Sequence, residues 1–377
     1  MLRKLMCILT LSILSLMRVS AQELEPVEQT FFLTFVPNIQ FSPVYAALEE
    51  GYFENAGIAV QIEHGDENVG VDLIAANELQ FGLISGEEII KARANGRPVV
   101  YVYEWFQRYP VGIVTPAGAL TNGIADLAGQ RVGIPGRFGA SYNGLVALLS
   151  ANDMVEQDIQ LEAIGFNAPE VFCLGGVEAA VVYINNEPLQ IEQRAAEGQC
   201  GDIQSVDVYP VSDAADLISN GLITNEETLA NNPELVSEVV SAFDAGLRSV
   251  IQNPSAAYLH STSYVENLPL SDAFRSALEA ESAAQVEFLS TNPDREAVAS
   301  SRVELLEQLQ ATFSATDLVQ FQVLLNTIEL WDADVLGISD LSSWEVTQSV
   351  LMEATLLTAP IDVEAAFTNE FIPIVSE

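Results

Sequence analysis

Short apolar runs alternate along the first part of the chain with stretches whose apolar positions recur every three or four residues. The run at 30–36 reads as a strand, Pro37-Asn38 as a turn, and 41–50 as a helix stopped by Gly51. Strands are predicted next at 59–63, 81–84 and 99–103, with helices at 70–77 and at 87–94, the latter closed by Asn95-Gly96. Strand and helix in alternation predict a largely parallel sheet with helices on both faces. The pattern restarts after Pro116, with strands at 131–134, 158–163, 179–184 and 206–211 and a helix at 141–150. That makes a second lobe of the same α/β class. From Leu222 the spacing turns helical: Asn232 and Pro233 form a helix start, and Leu235, Val236, Val239, Val240, Phe243, Leu247 and Val250 recur on one face. Segments 271–290, 295–313, 315–330 and 343–357 read the same way, as a helical cover for the first lobe.

Length and the amino terminus add a compartment. Arg3 and Lys4 precede an apolar run from Leu5 to Met17, followed by Val19-Ser20-Ala21, which reads as a secretory leader at 1–21 cleaved near Ala21. The run is too short for the ~20 residues that span a bilayer. The expected product is a free periplasmic or secreted protein, with Cys7 too deep in the leader to carry a lipid anchor. Its 356 residues exceed the size at which single cores stop growing, so two lobes are expected. Cys173 and Cys200 survive processing and either form a disulfide or stay as two small buried thiols. Removal of Arg3, Lys4 and Arg18 leaves 11 basic against 53 acidic residues, a net charge near −42. Nucleic acid and anionic lipid would be repelled by such a chain. The charge itself reads as solubility and says nothing of a ligand.

Residues suited to catalysis are sparse. His64 and His260 stand alone, and the two cysteines lack the paired spacing of a metal knuckle. Gly139-Ala140-Ser141-Tyr142-Asn143 puts asparagine where a nucleophile elbow needs glycine, and there is no phosphate-loop lysine. No metal, cofactor or catalytic set is therefore expected. Recognition of a flat polar ring fits better. Tyr101, Tyr103, Trp105, Phe106 and Tyr109 cluster before the passage between lobes. Tyr101 and Tyr103 alternate as core residues do, whereas Trp105 lies where a ligand would stack. The loop Gly136-Arg137-Phe138-Gly139-Ala140-Ser141 either offers free amides to a ligand oxygen or makes a tight turn, and Phe138 and Tyr142 would close over a ring. Asn185, Asn186 and Glu187 end a buried strand, either as donors and acceptors for a heterocycle edge or as a capped turn.

Several segments in order carry a resemblance: Val36-Pro37-Asn38, Tyr45, Glu50-Gly51-Tyr52-Phe53, Ala56-Gly57-Ile58, the stretch Asp126 to Ile134, and Val181-Val182-Tyr183-Ile184-Asn185-Asn186-Glu187-Pro188. Together they resemble the substrate-binding proteins of ABC importers related to thiamine-pyrimidine-precursor binding, over residues 30 to about 250. The resemblance implies a type II periplasmic-binding-protein fold with two α/β lobes, a ligand cleft and a hinge. Lobe 1 would take 22–111 and 212–377, lobe 2 would take 112–211, and the crossovers would lie near 109–113 and 209–213. It also implies a monomer that reaches the membrane only through ABC importer permease subunits. Asn38, Phe41 and Tyr45 of the first lobe, the 136–141 loop including Phe138 and Ser141, and Asn185 to Glu187 would face the cleft. Trp105 and Gln107-Arg108-Tyr109-Pro110 resemble the branch associated with riboflavin uptake, so riboflavin is expected as transported ligand, not as cofactor. The bulky Arg137 and Phe138 depart from a loop that wraps phosphate. A thiamine pyrimidine precursor, and further off a sulfonate or nitrate-like anion, are the alternatives. From another class, a pyrimidine-forming synthase shares the fold but needs an active-site histidine and a cysteine-rich iron segment.

Overall fold

The computed structural model describes residues 26–373, so the leader at 1–21 and Cys7 lie outside the described residues. In the first lobe β1 (Val27–Thr34), α1 (Ser42–Glu49) and α2 (Tyr52–Asn55) lead to β2 (Ile58–Gly65), α3 (Glu67–Ala75), β3 (Phe81–Ser85), α4 (Gly86–Ala94) and β4 (Val99–Glu104). The chain then crosses to β5 (Val111–Pro116), β6 (Arg131–Ile134), α5 (Gly139–Ser150), β7 (Gln160–Ala163), α6 (Ala168–Cys173), β8 (Ala179–Tyr183), α7 (Glu187–Ala196) and β9 (Val206–Pro210). It returns through β10 (Asn220–Asn225) into α8 (Glu226–Asn231), α9 (Pro233–Gln252), α10 (Pro254–Ser261), α11 (Asp272–Leu289), α12 (Arg295–Gln310), α13 (Ala315–Trp331) and α14 (Leu341–Glu353).

Two five-stranded sheets result, ordered β2-β1-β3-β10-β4 and β7-β6-β8-β5-β9. The expectation of largely parallel sheets needs correction. β10 runs antiparallel between β3 and β4, and β5 runs antiparallel to both β8 and β9. Both are the strands with which the chain enters a lobe after crossing over, so each meets its sheet from the opposite direction. The crossings occupy 105–110 and 211–219, close to the expected positions, with Val111 already in the second sheet.

The first-lobe core joins Phe31, Leu33, Phe81 and Leu83 of the sheet to Val236, Val239, Phe243 and Leu247 of α9, on the helical face that the spacing predicted. Pro233 opens α9, but Asn232 makes no side-chain cap there. The opposite face of the sheet packs on α3, α4 and Trp344 of α14. Strand β4 would be an open edge. Instead, Tyr101 exchanges backbone hydrogen bonds with Ala366 and Thr368, both 2.9 Å, and the Glu104 amide donates to Gly337 at 2.9 Å.

Cys173 and Cys200, 27 positions apart, are joined in a disulfide within the second lobe. Closing a loop of that length restricts the unfolded chain by about 3–4 kcal/mol. Reduction is therefore expected to destabilise the second lobe by that amount, read as a lower urea midpoint. An unchanged midpoint would show that apolar packing around Phe172 and Ile191 holds the segment without the bond.

Candidate functional site

A cleft between the lobes, about 880 Å³ counting its open mouth, lies where the parallel strands of both sheets end. That is the position at which open α/β sheets receive ligands. The first lobe contributes Thr34 and Phe35 after β1, Gln40 and Phe41, Glu67 at the start of α3, Trp105 and Phe106 after β4, and Asn220 at the start of β10. Facing them are Phe138 to Ser141 at the start of α5, Phe166 before α6, and Tyr183, Asn186 and Glu187 at the passage from β8 into α7.

Seven aromatic side chains line the cleft. Phe35 and Phe166 meet edge to face across the mouth, centroids 4.6 Å apart, one from each lobe. Phe35 holds φ at 75°, unusual for a bulky residue, and this directs the chain out of β1 toward the mouth. Trp105 stacks between Phe41 (5.8 Å, 29°) and Trp331 (5.5 Å, 29°). Packed among these rings and 3% exposed, Trp105 lacks the free face that stacking requires. Its Nε1 is buried with no protein acceptor.

Two cleft amides that could receive a ligand anion, one at the start of α5 and one at the end of β8, already bind protein carboxylates. Gly139 N, first in α5, donates to Glu88 Oε1 at 3.1 Å from the opposite lobe, and Tyr183 N donates to Glu187 Oε2 at 2.9 Å at the start of α7. The glycine loop therefore receives a protein carboxylate. Gly139 itself has φ +64°, and a Cβ there would run into Glu67 Oε2, which fits the close approach of the lobes. Arg137 turns outward to Glu156, 2.8 Å away. Among the described residues no lysine or arginine lines the cleft. Burial pushes the Glu187 carboxyl up to about 7, partly offset by hydrogen bonds. Burial, with the Glu88 charge beside it, raises Glu67 well above the carboxylate range.

Six of the sequence candidates meet in this cleft: Phe41, Trp105, Phe138, Ser141, Asn186 and Glu187. Five do not. Asn38 caps the turn before α1, its Oδ1 accepting from Gln40 N at 3.0 Å, and lines a separate groove with Gln190. Tyr45 is buried, stacked parallel on Tyr264 at 4.6 Å. Gln107 donates to the Glu104 carbonyl at 2.8 Å, and Tyr142 donates to Glu156 at 2.7 Å. Asn185 turns away and donates to Thr327 Oγ1 of α13 at 2.6 Å, tying the second lobe to the helical cover. Sequence reasoning missed Phe35, Gln40, Glu67, Phe166, Tyr183 and Asn220. All sit at strand ends or helix starts, which was the available signal. Tyr183 donates across the lobes to Asn220 Oδ1 at 3.1 Å.

Against known proteins, the family model described as NMT1/THI5 like matches residues 38–257. The riboflavin-binding protein RibY of Chloroflexus aurantiacus is 31% identical over 352 residues, 91% of this chain and 86% of that protein. A 4-amino-5-hydroxymethyl-2-methylpyrimidine phosphate synthase of Legionella pneumophila is 23% identical over 61% of this chain and 71% of its own. Among solved structures, the periplasmic sulfonate-binding protein SsuA of Methylobacillus flagellatus superposes with a TM-score of 0.58 at 13% identity, covering 92% of this chain and 93% of that one. The aliphatic sulphonate binding protein SsuA of Escherichia coli gives a TM-score of 0.56 at 16% identity, covering 90% and 92%. The two-lobed architecture is thus the periplasmic-binding-protein fold.

Proposed function

This chain belongs to the NMT1/THI5-like family, and from that premise we propose that it is an extracytoplasmic solute-binding protein of an ABC importer that captures riboflavin between its lobes. One observation carries the choice of ligand. The cleft is lined by seven aromatic side chains, has the Gly139 amide at the start of α5 occupied by Glu88, and lacks a cation among its described lining residues. Such a site favours a neutral planar ring with polar edges over a sulfonate, nitrate or phosphate ester. Asn186, Asn220 and the carboxyls of Glu67 and Glu187 supply donors and acceptors for an isoalloxazine edge and a hydroxylated tail. Similarity to RibY supports the same reading.

A second reading rests on Glu67. A buried carboxyl on the wall also suits the amino group and ring nitrogen of an aminopyrimidine, the thiamine precursor class. Catalysis of the synthase type fits less well, because His64 is held against the Phe35 carbonyl at 3.2 Å and His260 stands beside Glu50, both outside the lining. Export by the leader at 1–21, a monomeric state and docking of the closed form on permease subunits complete the proposal. Among the described residues no helix is long and apolar enough to cross a membrane.

The deciding measurement is riboflavin titrated into protein lacking residues 1–21, read by flavin fluorescence. Saturable quenching at micromolar or lower concentration is expected, undisturbed by excess 4-amino-5-hydroxymethyl-2-methylpyrimidine. Displacement by that pyrimidine would transfer the assignment to the second reading, and absence of quenching would remove riboflavin.

A further inference from the structure

At the seam between the lobes a single hydroxyl faces two acceptors. Tyr109 belongs with the second lobe, its ring packed into that core against Gly144 and Val111. Its Oη lies 2.8 Å from the Ala140 carbonyl and in hydrogen-bond contact with Glu87 Oε1 of the first lobe. A carbonyl can only accept, and a phenol has one hydrogen to give. If the Tyr109 hydrogen goes to Ala140, the hydrogen between Tyr109 and Glu87 must come from Glu87. Glu87 is fully buried, and its Oε2 has no partner at all. A carboxylate in that position would leave charged oxygen uncompensated, whereas a carboxylic acid satisfies the contact.

We infer that a proton on Glu87 favours closure of the lobes, so that the Glu87–Tyr109 contact acts as a proton-linked latch on the ligand clamp. Opening separates α4 from Tyr109 and returns Glu87 to water as a carboxylate. The inference rests on the two-lobed clamp reading given above. The charged and titratable groups around Glu87 are those of both lobes. Glu88 follows it in α4, Glu67 faces it from α3, Tyr101 from β4, Tyr183 from β8, and Tyr109 across the seam. Lys91, the nearest cation of α4, is engaged by Glu88 at 2.6 Å. Burial is the main cause that raises the Glu87 carboxyl to about 7; a hydrogen donated by Tyr109 to the carboxylate would oppose the rise, and the Glu88 charge adds to it. The closed state thus binds the proton more tightly than the solvated open state, whose carboxyl titrates near the ordinary ~4.3. Closure is favoured in full below that ordinary value. The advantage shrinks by about tenfold per pH unit as pH rises and is gone above the closed-state value.

The test follows the radius of gyration of ligand-free protein by small-angle scattering between about pH 5 and 8.5, with riboflavin affinity measured in parallel. Wild type should become more compact, and bind riboflavin more tightly, as pH falls below neutral. Glu87→Gln, whose amide donates to Tyr109 without titrating, should stay compact with a flat profile. A wild-type radius that does not change with pH overturns the latch. A pH response that survives in Glu87→Gln overturns its assignment to Glu87. Riboflavin that binds at no pH removes the ligand reading instead, and the ligand-free radius still decides the latch.

Discussion

Trp105→Ala is expected to cost the fold about 3–5 kcal/mol and to weaken riboflavin capture by at least about tenfold. Only 3% of the side chain is exposed, and the indole is wedged between Phe41 and Trp331 with Phe106 and Phe243 at its edges. Removing it leaves a void that these rings cannot fill without leaving their rotamers. The stability loss should appear as a lower denaturant midpoint, and the binding loss as a right-shifted quenching curve. Trp105→Phe separates the causes. It keeps an aromatic plug but deletes the N–H, which has no protein acceptor. An equal affinity loss in the Phe and Ala variants would assign the effect to that N–H. Unchanged affinity in both would mean the ligand lies elsewhere in the cleft.

Flavin mononucleotide is expected to bind at least about a hundredfold more weakly than riboflavin, because burying its phosphate in a cleft with no cation among its described lining residues costs several kcal/mol per ion. The α5 amide that would receive the phosphate is taken by Glu88, and Glu67 and Glu187 add acidic groups to the wall. Competition between the two flavins for the same quenching signal measures the ratio directly. Equal affinities would place the phosphate outside the cleft and withdraw the electrostatic part of the assignment.

The alternation of strands and helices in both lobes was legible because each buried strand is a continuous apolar run bounded by turn residues. β5 and β10 were not. Val111–Pro116 looks like the start of a connection, and Asn220–Asn225 has only Leu222 and Ile223 between polar neighbours, so its central place between β3 and β4 depends on partners more than a hundred residues away. The site divides in the same manner. Phe138, Ser141, Asn186 and Glu187 could be found because they follow recognisable strands, and Trp105 because it follows β4. Asn185 looks identical to Asn186 in sequence, yet the start of α7 turns one toward Thr327 and the other into the cleft. Glu67 was invisible among 53 acids, since only its buried position sets it apart.

The place of β10 has a consequence for synthesis. Residues of the second sheet form one uninterrupted stretch that also contains both halves of the disulfide, so this lobe holds everything it needs once that stretch has been delivered. The first sheet lacks a central strand until Asn225 emerges, and its outer edge stays bare until Phe367 follows. A chain made amino end first must therefore keep its earliest strands from pairing wrongly while the later lobe settles, which makes the beginning of the molecule the last part to become native.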